Sequence, residues 1–250
     1  TTGLQNTLIG SEAGDALTTG VNNVAIGYTA LGADTAGDNS VAVGHGTLNA
    51  QNFSTNTDSF NTAVGYQAGL SVTTGIQNTL IGSECGDALT DADYNVALGR
   101  NTLSTDTLGS KTTAIGFQAL ANQNFTTATD SHNTAVGYNA GVSVTTARYN
   151  TIVGSDAGDA ITTSESNTVV GALAGTVMST GSGNSTLLGA SCGANLTTGS
   201  GNVLIGASAG NLAVLLQTGA NNTLLGTGVR TSSSSVDSEV VLGYNITGAG

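Results

Sequence analysis

Three turns along this chain carry a pair of carboxylates at the same spacing: Glu12 with Asp15, Glu84 with Asp87, and Asp156 with Asp159. Each pair sits in a Gly-Ser-acid-small-Gly-Asp turn. Two acids so close could hold Ca²⁺ or divide the roles of general acid and general base. An active site needs one unique constellation, however, and a pair copied three times reads as a solvated turn duplicated with its surroundings. The Gly-Gly-x-Gly-x-Asp repeat of calcium-binding rolls is also missing. Neither a cofactor nor a metal is therefore expected, with Ca²⁺ at these turns as the weaker alternative, and the chain is read as a non-enzyme.

The other reactive side chains fit that reading. Cys85 and Cys192 occupy equivalent places six repeats apart, about 29 Å at β-ladder spacing, which no intrachain disulfide spans. Each reads as a small buried residue standing where other repeats have Ala. His45 and His132 are the only histidines, and no Ser/His/Asp or His-x-His pattern surrounds them.

What must position all of these is a phrase that recurs fourteen times: Thr or Val, two apolar residues, then glycine. The motif glycines run from Gly10 through Gly27, Gly44, Gly65 and Gly82 to Gly243, in steps that are mostly 17, lengthened to 21, 21, 18 and 20 by insertions. Such self-similarity is the signature of one small unit stacked many times. The fold expected is all-β: a parallel β-solenoid of about fourteen coils forming a single domain over residues 1–250. Absence of proline leaves every backbone N–H free for a ladder. With six Tyr, four Phe and no Trp, the core must be thin and filled by Val, Ile, Leu and Ala. Sixteen acids against four basic residues give a net charge of −12, which argues against nucleic acid and anionic membrane surfaces as partners.

Numbered from the motif glycine, the residue before it is aliphatic and the residue two before it is apolar in every coil (Leu8-Ile9, Ala25-Ile26, through Val241-Leu242). Neighbouring side chains of a strand point to opposite faces. Two adjacent positions that never accept a polar residue imply a strand covered on both sides. One side is the coil interior. The other is expected to press on further copies of the chain, so a homo-oligomer with this strand at the interface is predicted.

Asparagine stands four before the glycine in ten coils: Asn6, Asn23, Asn61, Asn78, Asn95, Asn133, Asn150, Asn167, Asn202 and Asn222. Stacked one coil apart, these predict an amide ladder in which each side chain bonds the next. A longer period of four coils overlies the short one, because Gln5–Glu12 returns as Gln77–Glu84. Four-residue insertions return with it, around Gln51-Asn52-Phe53-Ser54 and Gln123-Asn124-Phe125-Thr126. Loops that interrupt a regular scaffold commonly carry binding residues. Asn52, Phe53, Thr55 and Asp58, and likewise Asn124, Phe125, Thr127 and Asp130, would offer an aromatic face beside polar groups, which suits a carbohydrate. Later the pattern drifts, and an apolar stretch appears at Leu212-Ala213-Val214-Leu215-Leu216.

The phrases Asn23-Val24-Ala25-Ile26-Gly27 and Asn39-Ser40-Val41-Ala42-Val43-Gly44 resemble the head repeats of trimeric autotransporter adhesins. Asn61-Thr62-Ala63-Val64-Gly65-Tyr66-Gln67-Ala68-Gly69 and its copy at 133–141 resemble repeats of phage tail fibres. This resemblance implies a left-handed β-roll, intertwined or side by side as a homotrimer with the apolar strand toward the three-fold axis. It also implies attachment to surfaces without chemistry. The period of this chain is longer than that of the usual adhesin head.

The function expected is thus a structural, extracellular segment of an adhesin or virion tail fibre. It would bind a surface glycan or protein receptor on a host, and would neither bind nucleic acid nor insert in a membrane. Thr1–Gly3 matches the linker Thr74–Gly75, so a piece of a longer fibre is expected. Two alternatives remain. An ice-binding solenoid would use Thr18-Thr19, Thr73-Thr74, Thr145-Thr146, Thr162-Thr163 and Thr197-Thr198, a row broken by Asn52, Asn124 and Val214. A polysaccharide-degrading tail spike would use paired carboxylates.

Overall fold

A computed structural model describes residues 2–211 and 216–249. The chain is an all-β parallel solenoid of about fourteen coils, as the glycine spacing predicts. It divides into two compact units, Thr1–Ser131 and His132–Gly250. Most of the apolar stretch singled out above, residues 212–215 with Val214 among them, lies outside the described residues.

In the first unit the three residues before each motif glycine form the coil strands: Thr7–Ile9, Val24–Ile26, Val41–Val43, Thr62–Val64, Thr79–Ile81, Val96–Leu98 and Thr113–Ile115. Each pairs in parallel and in register with the next, Leu8 beside Ala25 and Ala63 beside Leu80. The second unit repeats this with Thr134–Val136, Thr151–Val153, Thr168–Val170, Thr186–Leu188, Val203–Ile205, Thr223–Leu225 and Val240–Leu242.

The motif glycine ends each strand because no other residue fits. Gly65 has φ +138°, and a Cβ there would run into the carbonyl of Gly82 in the next coil. Tight corners follow from residues in the αL conformation at the second position after the glycine, such as Glu84 (φ 54°), and at the fifth before it, such as Phe60 (φ 49°). L-residues resist this region by about 1–2 kcal/mol each. The parallel ladder holds them there, as when Glu84 N–H donates to the Tyr66 carbonyl at 2.8 Å.

The interior is one side chain thick. Its central row is the middle strand residue, fully buried from Ala25 to Leu224. Volume is traded between neighbours. Where the fourth residue after the glycine is a buried αL leucine (Leu31, Leu48, Leu103, Leu120), the strand centre is Ala25, Ala42, Ala97 or Ala114. Where that residue is Gly86 or Gly193, the strand centre is Leu80 or Leu187, whose methyl groups fill the space a Cβ would take. Close packing explains these pairings, and where glycine meets alanine, as Gly69 with Ala63, Leu48 and Leu80 of the neighbouring coils fill the space.

Candidate functional site

The outer face of each coil strand carries the Thr/Val residue and the aliphatic residue flanking the buried centre. Both rows are at least partly exposed in the single chain, the aliphatic one reaching 45, 44 and 44 % at Leu98, Leu188 and Leu225. In the first unit the aliphatic row runs Ile9, Ile26, Val43, Val64, Ile81, Leu98, Ile115. In the second it runs Val136, Val153, Val170, Leu188, Ile205, Leu225, Leu242. Aromatic rings border it. Tyr28, His45 and Tyr66 stack along successive coils with ring centroids 5.3 and 5.2 Å apart. In the second unit His132 stacks on Tyr149 at 5.4 Å, and Arg148 lies over the same ring while pairing with Glu165 at 2.9 Å. None of the sixteen acids stands in either row or at the bordering positions, five before and one after the glycine, although Arg100 and Lys111 do.

The asparagine column has a different geometry from the one expected. Asn23, Asn61, Asn78, Asn95, Asn133, Asn150, Asn167, Asn202 and Asn222 are buried, and Asn6 is half-buried. Their amides mainly bridge to the backbone of the next coil, and the expected bond between side chains forms beside these bridges at Asn78 to Asn61, Asn167 to Asn150 and Asn222 to Asn202, at 3.3, 3.1 and 3.1 Å. Asn78 Nδ2 donates to the Ala92 carbonyl at 2.7 Å, and Asn78 Oδ1 accepts the Asn95 N–H at 3.0 Å. The second unit does the same, with Asn150 Nδ2 on the Ser164 carbonyl and Asn150 Oδ1 on the Asn167 N–H. An amide has one donor end and one acceptor end facing along the stack, which fits two backbone groups that would otherwise be stranded.

Both inserts lie in the first unit, and their aromatic rings point inward. Phe53 and Phe125 are only 6 and 5 % exposed, so the expected aromatic face is not offered to a ligand. A Cβ at Gly37 or Gly109 of the preceding coil would strike the carboxylate of Asp34 or Asp106, and at Gly37 it would also meet the Phe53 ring. What remains outside is polar. Asn52, Thr55 and Asp58 are exposed, as are Thr127 and Asp130, with Asn124 half-buried. Asp58 accepts from Asn39 Nδ2 at 2.6 Å, and Asp130 pairs with Lys111 Nζ at 2.5 Å. Short parallel pairs anchor each insert: Gly37–Asp38 with Thr57–Asp58, and Gly109–Ser110 with Thr129–Asp130.

Sequence reasoning missed the residues beneath these loops. At the seventh position after the glycine, other coils bury Leu17, Val72, Leu89, Val144, Ile161, Met178 or Leu196. The coils flanking the inserts bury Asp34, Gln51, Asp106 and Gln123 instead. That exchange of apolar for polar was visible in the chain, but only to a reader who knew the seventh position to be interior.

The acidic turns do not converge. Among the described residues no group of three His, Cys, Asp or Glu is placed to hold a metal ion. Burial pushes the carboxyls of Asp87 and Asp159 above the usual range, and the neighbouring Glu84 and Asp156 charges add to this. Cys85 and Cys192 are buried, and each thiol donates to a carbonyl of the next coil, Ala97 and Leu204, at 3.2 Å. Burial pushes both thiols up to about 12, where a thiolate nucleophile is suppressed. Four of the threonines eight after the glycine spend their hydroxyl hydrogens along the stack: Thr18 on the Thr35 carbonyl, Thr90 on Thr107, Thr145 on Thr162 and Thr197 on Gln217. That removes donors an ice-facing array would display.

No protein-family model matches this chain, and no curated protein matches it.

Proposed function

We propose that this chain is a non-catalytic segment of an extracellular fibre, an adhesin or virion tail fibre, that assembles as a homotrimer and attaches to a surface glycan or protein receptor. One observation carries the reading: in each unit the outer face of the coil strands is uncharged. A chain of net charge −12 keeps all of its acids off an aliphatic row, the Thr/Val row beside it and their borders, while rings and two basic residues stand beside them. Depletion of charge at the centre with aromatics close by is the composition of a protein interface. Like charges would oppose the approach of copies through any acidic side. The number three comes from the resemblance to adhesin heads and tail fibres, and attachment from the same source. Repetition along the fibre and across three chains would multiply weak single contacts.

Light scattering on the purified chain tests this. Three times the 24.4 kDa chain mass is the expected result. A stable, soluble monomer at micromolar concentration would remove the interface and the fibre with it.

A further inference from the structure

Each insert sits on a closed polar network inside the solenoid, and the network has one direction. Ser59 Oγ donates to the Asp38 carbonyl at 3.0 Å, so in the 2.6 Å contact between Ser40 Oγ and Ser59 Oγ the hydrogen comes from Ser40. Ser40 Oγ then accepts from Gln51 Nε2 at 2.8 Å, and the other Nε2 hydrogen goes to Asp34 Oδ2 at 2.7 Å. Gln51 Oε1 is left to accept Asn61 Nδ2 at 2.8 Å. The second carboxylate oxygen, Asp34 Oδ1, accepts the N–H of Gly37 at 3.0 Å and that of Phe53, inside the insert, at 3.2 Å.

The same atoms meet again four coils further on. Gln123 Nε2 donates to Asp106 Oδ2 at 2.6 Å and to Thr112 Oγ1 at 3.1 Å. Asp106 Oδ1 accepts Gly109 N–H at 3.1 Å and Phe125 N–H at 2.9 Å. Thr112 and Ser131 share a hydroxyl bond of 2.6 Å, as Ser40 and Ser59 do. Ser40 and Thr112 are also the two places in this unit where the asparagine column is interrupted.

A buried carboxylate is costly wherever an apolar residue would serve, and seven of the other coils bury one at this position. Retaining it only under the two inserts ties the carboxylate to them. We propose that Asp34 and Asp106 are positioning residues, each clamping one insert so that Asn52, Thr55 and Asp58, and again Asn124, Thr127 and Asp130, are held out as two copies of one preformed polar edge. Four coils separate the copies, about 19 Å along the stack. The use of that edge for a receptor rests on the fibre reading; the clamp itself does not.

Amide hydrogen exchange on the intact chain tests the clamp. In Asp34→Ala the Phe53 and Gly37 amides should exchange about tenfold faster or more, the consequence of losing a charge-assisted bond, while the strand amides of Ala42 and Ala63 keep their rates. Asp34→Asn retains an acceptor toward Phe53 but sets two amide nitrogens against each other at Gln51, and should show a smaller acceleration. Asp34→Asn with Gln51→Glu restores donor to acceptor between these two side chains, with the Ser40 hydroxyl turning its hydrogen from Ser59 to the new carboxylate, and should return Phe53 toward its original rate. Unchanged exchange at Phe53 in the alanine variant, or acceleration only in step with Ala42 and Ala63, would overturn the proposal. If the alanine variant does not fold, the asparagine variant and its rescue decide alone. A monomeric chain in the light-scattering experiment would leave this result untouched, so the two readings fail separately.

Discussion

The backbone N–H of Asn78 donates to Oδ1 of Asn61, one coil earlier, at 2.9 Å. Asn78 passes the arrangement on, with Oδ1 toward Asn95 and Nδ2 toward the Ala92 carbonyl. Removing the side chain in Asn78→Ala therefore strands one buried N–H and one buried carbonyl. Each unsatisfied group costs about 1–3 kcal/mol, so a loss of about 2–5 kcal/mol is expected by denaturant unfolding. The same change at Asn6 should cost clearly less, because that side chain is only half-buried.

How much of this could be read from the chain is uneven, for physical reasons. Strand position, register and the inward centre follow from the motif glycine, because only glycine tolerates the backbone of the neighbouring coil so close at φ near +138°. The asparagine column is legible by its spacing alone. Its bonding is not, since spacing cannot say whether an amide reaches a side chain or a carbonyl. Phe53 reads as outward-facing because insertions usually project; its ring lies instead beside Gly37, one coil away, where the local sequence gives no sign of it. Asp34 and Gln51 stand a full coil apart in a chain full of polar residues. Nothing local separates them from surface positions.

Corner residues supply a second prediction. Leu173 is exposed and held at φ 57°, whereas Leu31 is buried at φ 54°. Asparagine visits this region with less strain than leucine. Leu173→Asn should raise stability by about 0.5–1 kcal/mol, seen as a higher midpoint in thermal unfolding. Leu31→Asn should lower it by about 2–5 kcal/mol, because the core loses a leucine and gains an unpaired amide. Equal effects at the two sites would mean that backbone strain is not set by the corner.

The thiols give a direct chemical check. With both pushed up to about 12, the thiolate fraction at pH 8 is about one in ten thousand. Neither Cys85 nor Cys192 should react with iodoacetamide over hours in the native protein, and both should react promptly in guanidinium. Fast native labelling at either site would contradict the buried placement.

Acid dependence follows from the two half-buried aspartates. Burial raises Asp87 and Asp159. A carboxyl with a raised native pKa binds its proton more tightly folded than unfolded, so its contribution is most favourable in acid. That contribution is lost as pH rises from the ordinary carboxylate range through the raised value. Asp87→Asn and Asp159→Asn should therefore raise the melting temperature at pH 7 and give a smaller gain at pH 4. A gain that is the same at both pH values would show that neither carboxylate is strained by its surroundings.

The outer strand face offers the sharpest test of assembly. Val64 and Ile81 adjoin on neighbouring coils, pointing away from the core whose centres are Ala63 and Leu80. A charge there leaves the coil interior intact, since each side chain is partly exposed on the outer face when the chain is alone. Val64→Glu with Ile81→Glu should keep the far-ultraviolet circular dichroism of the parent while reducing the mass in light scattering to that of one chain. Placing glutamate at Thr73 and Thr90, which serve the outer stretch of the coil, should leave the mass unchanged. Loss of mass in both pairs would point to charge repulsion between whole molecules. Loss in the first pair alone locates the contact on the aliphatic row.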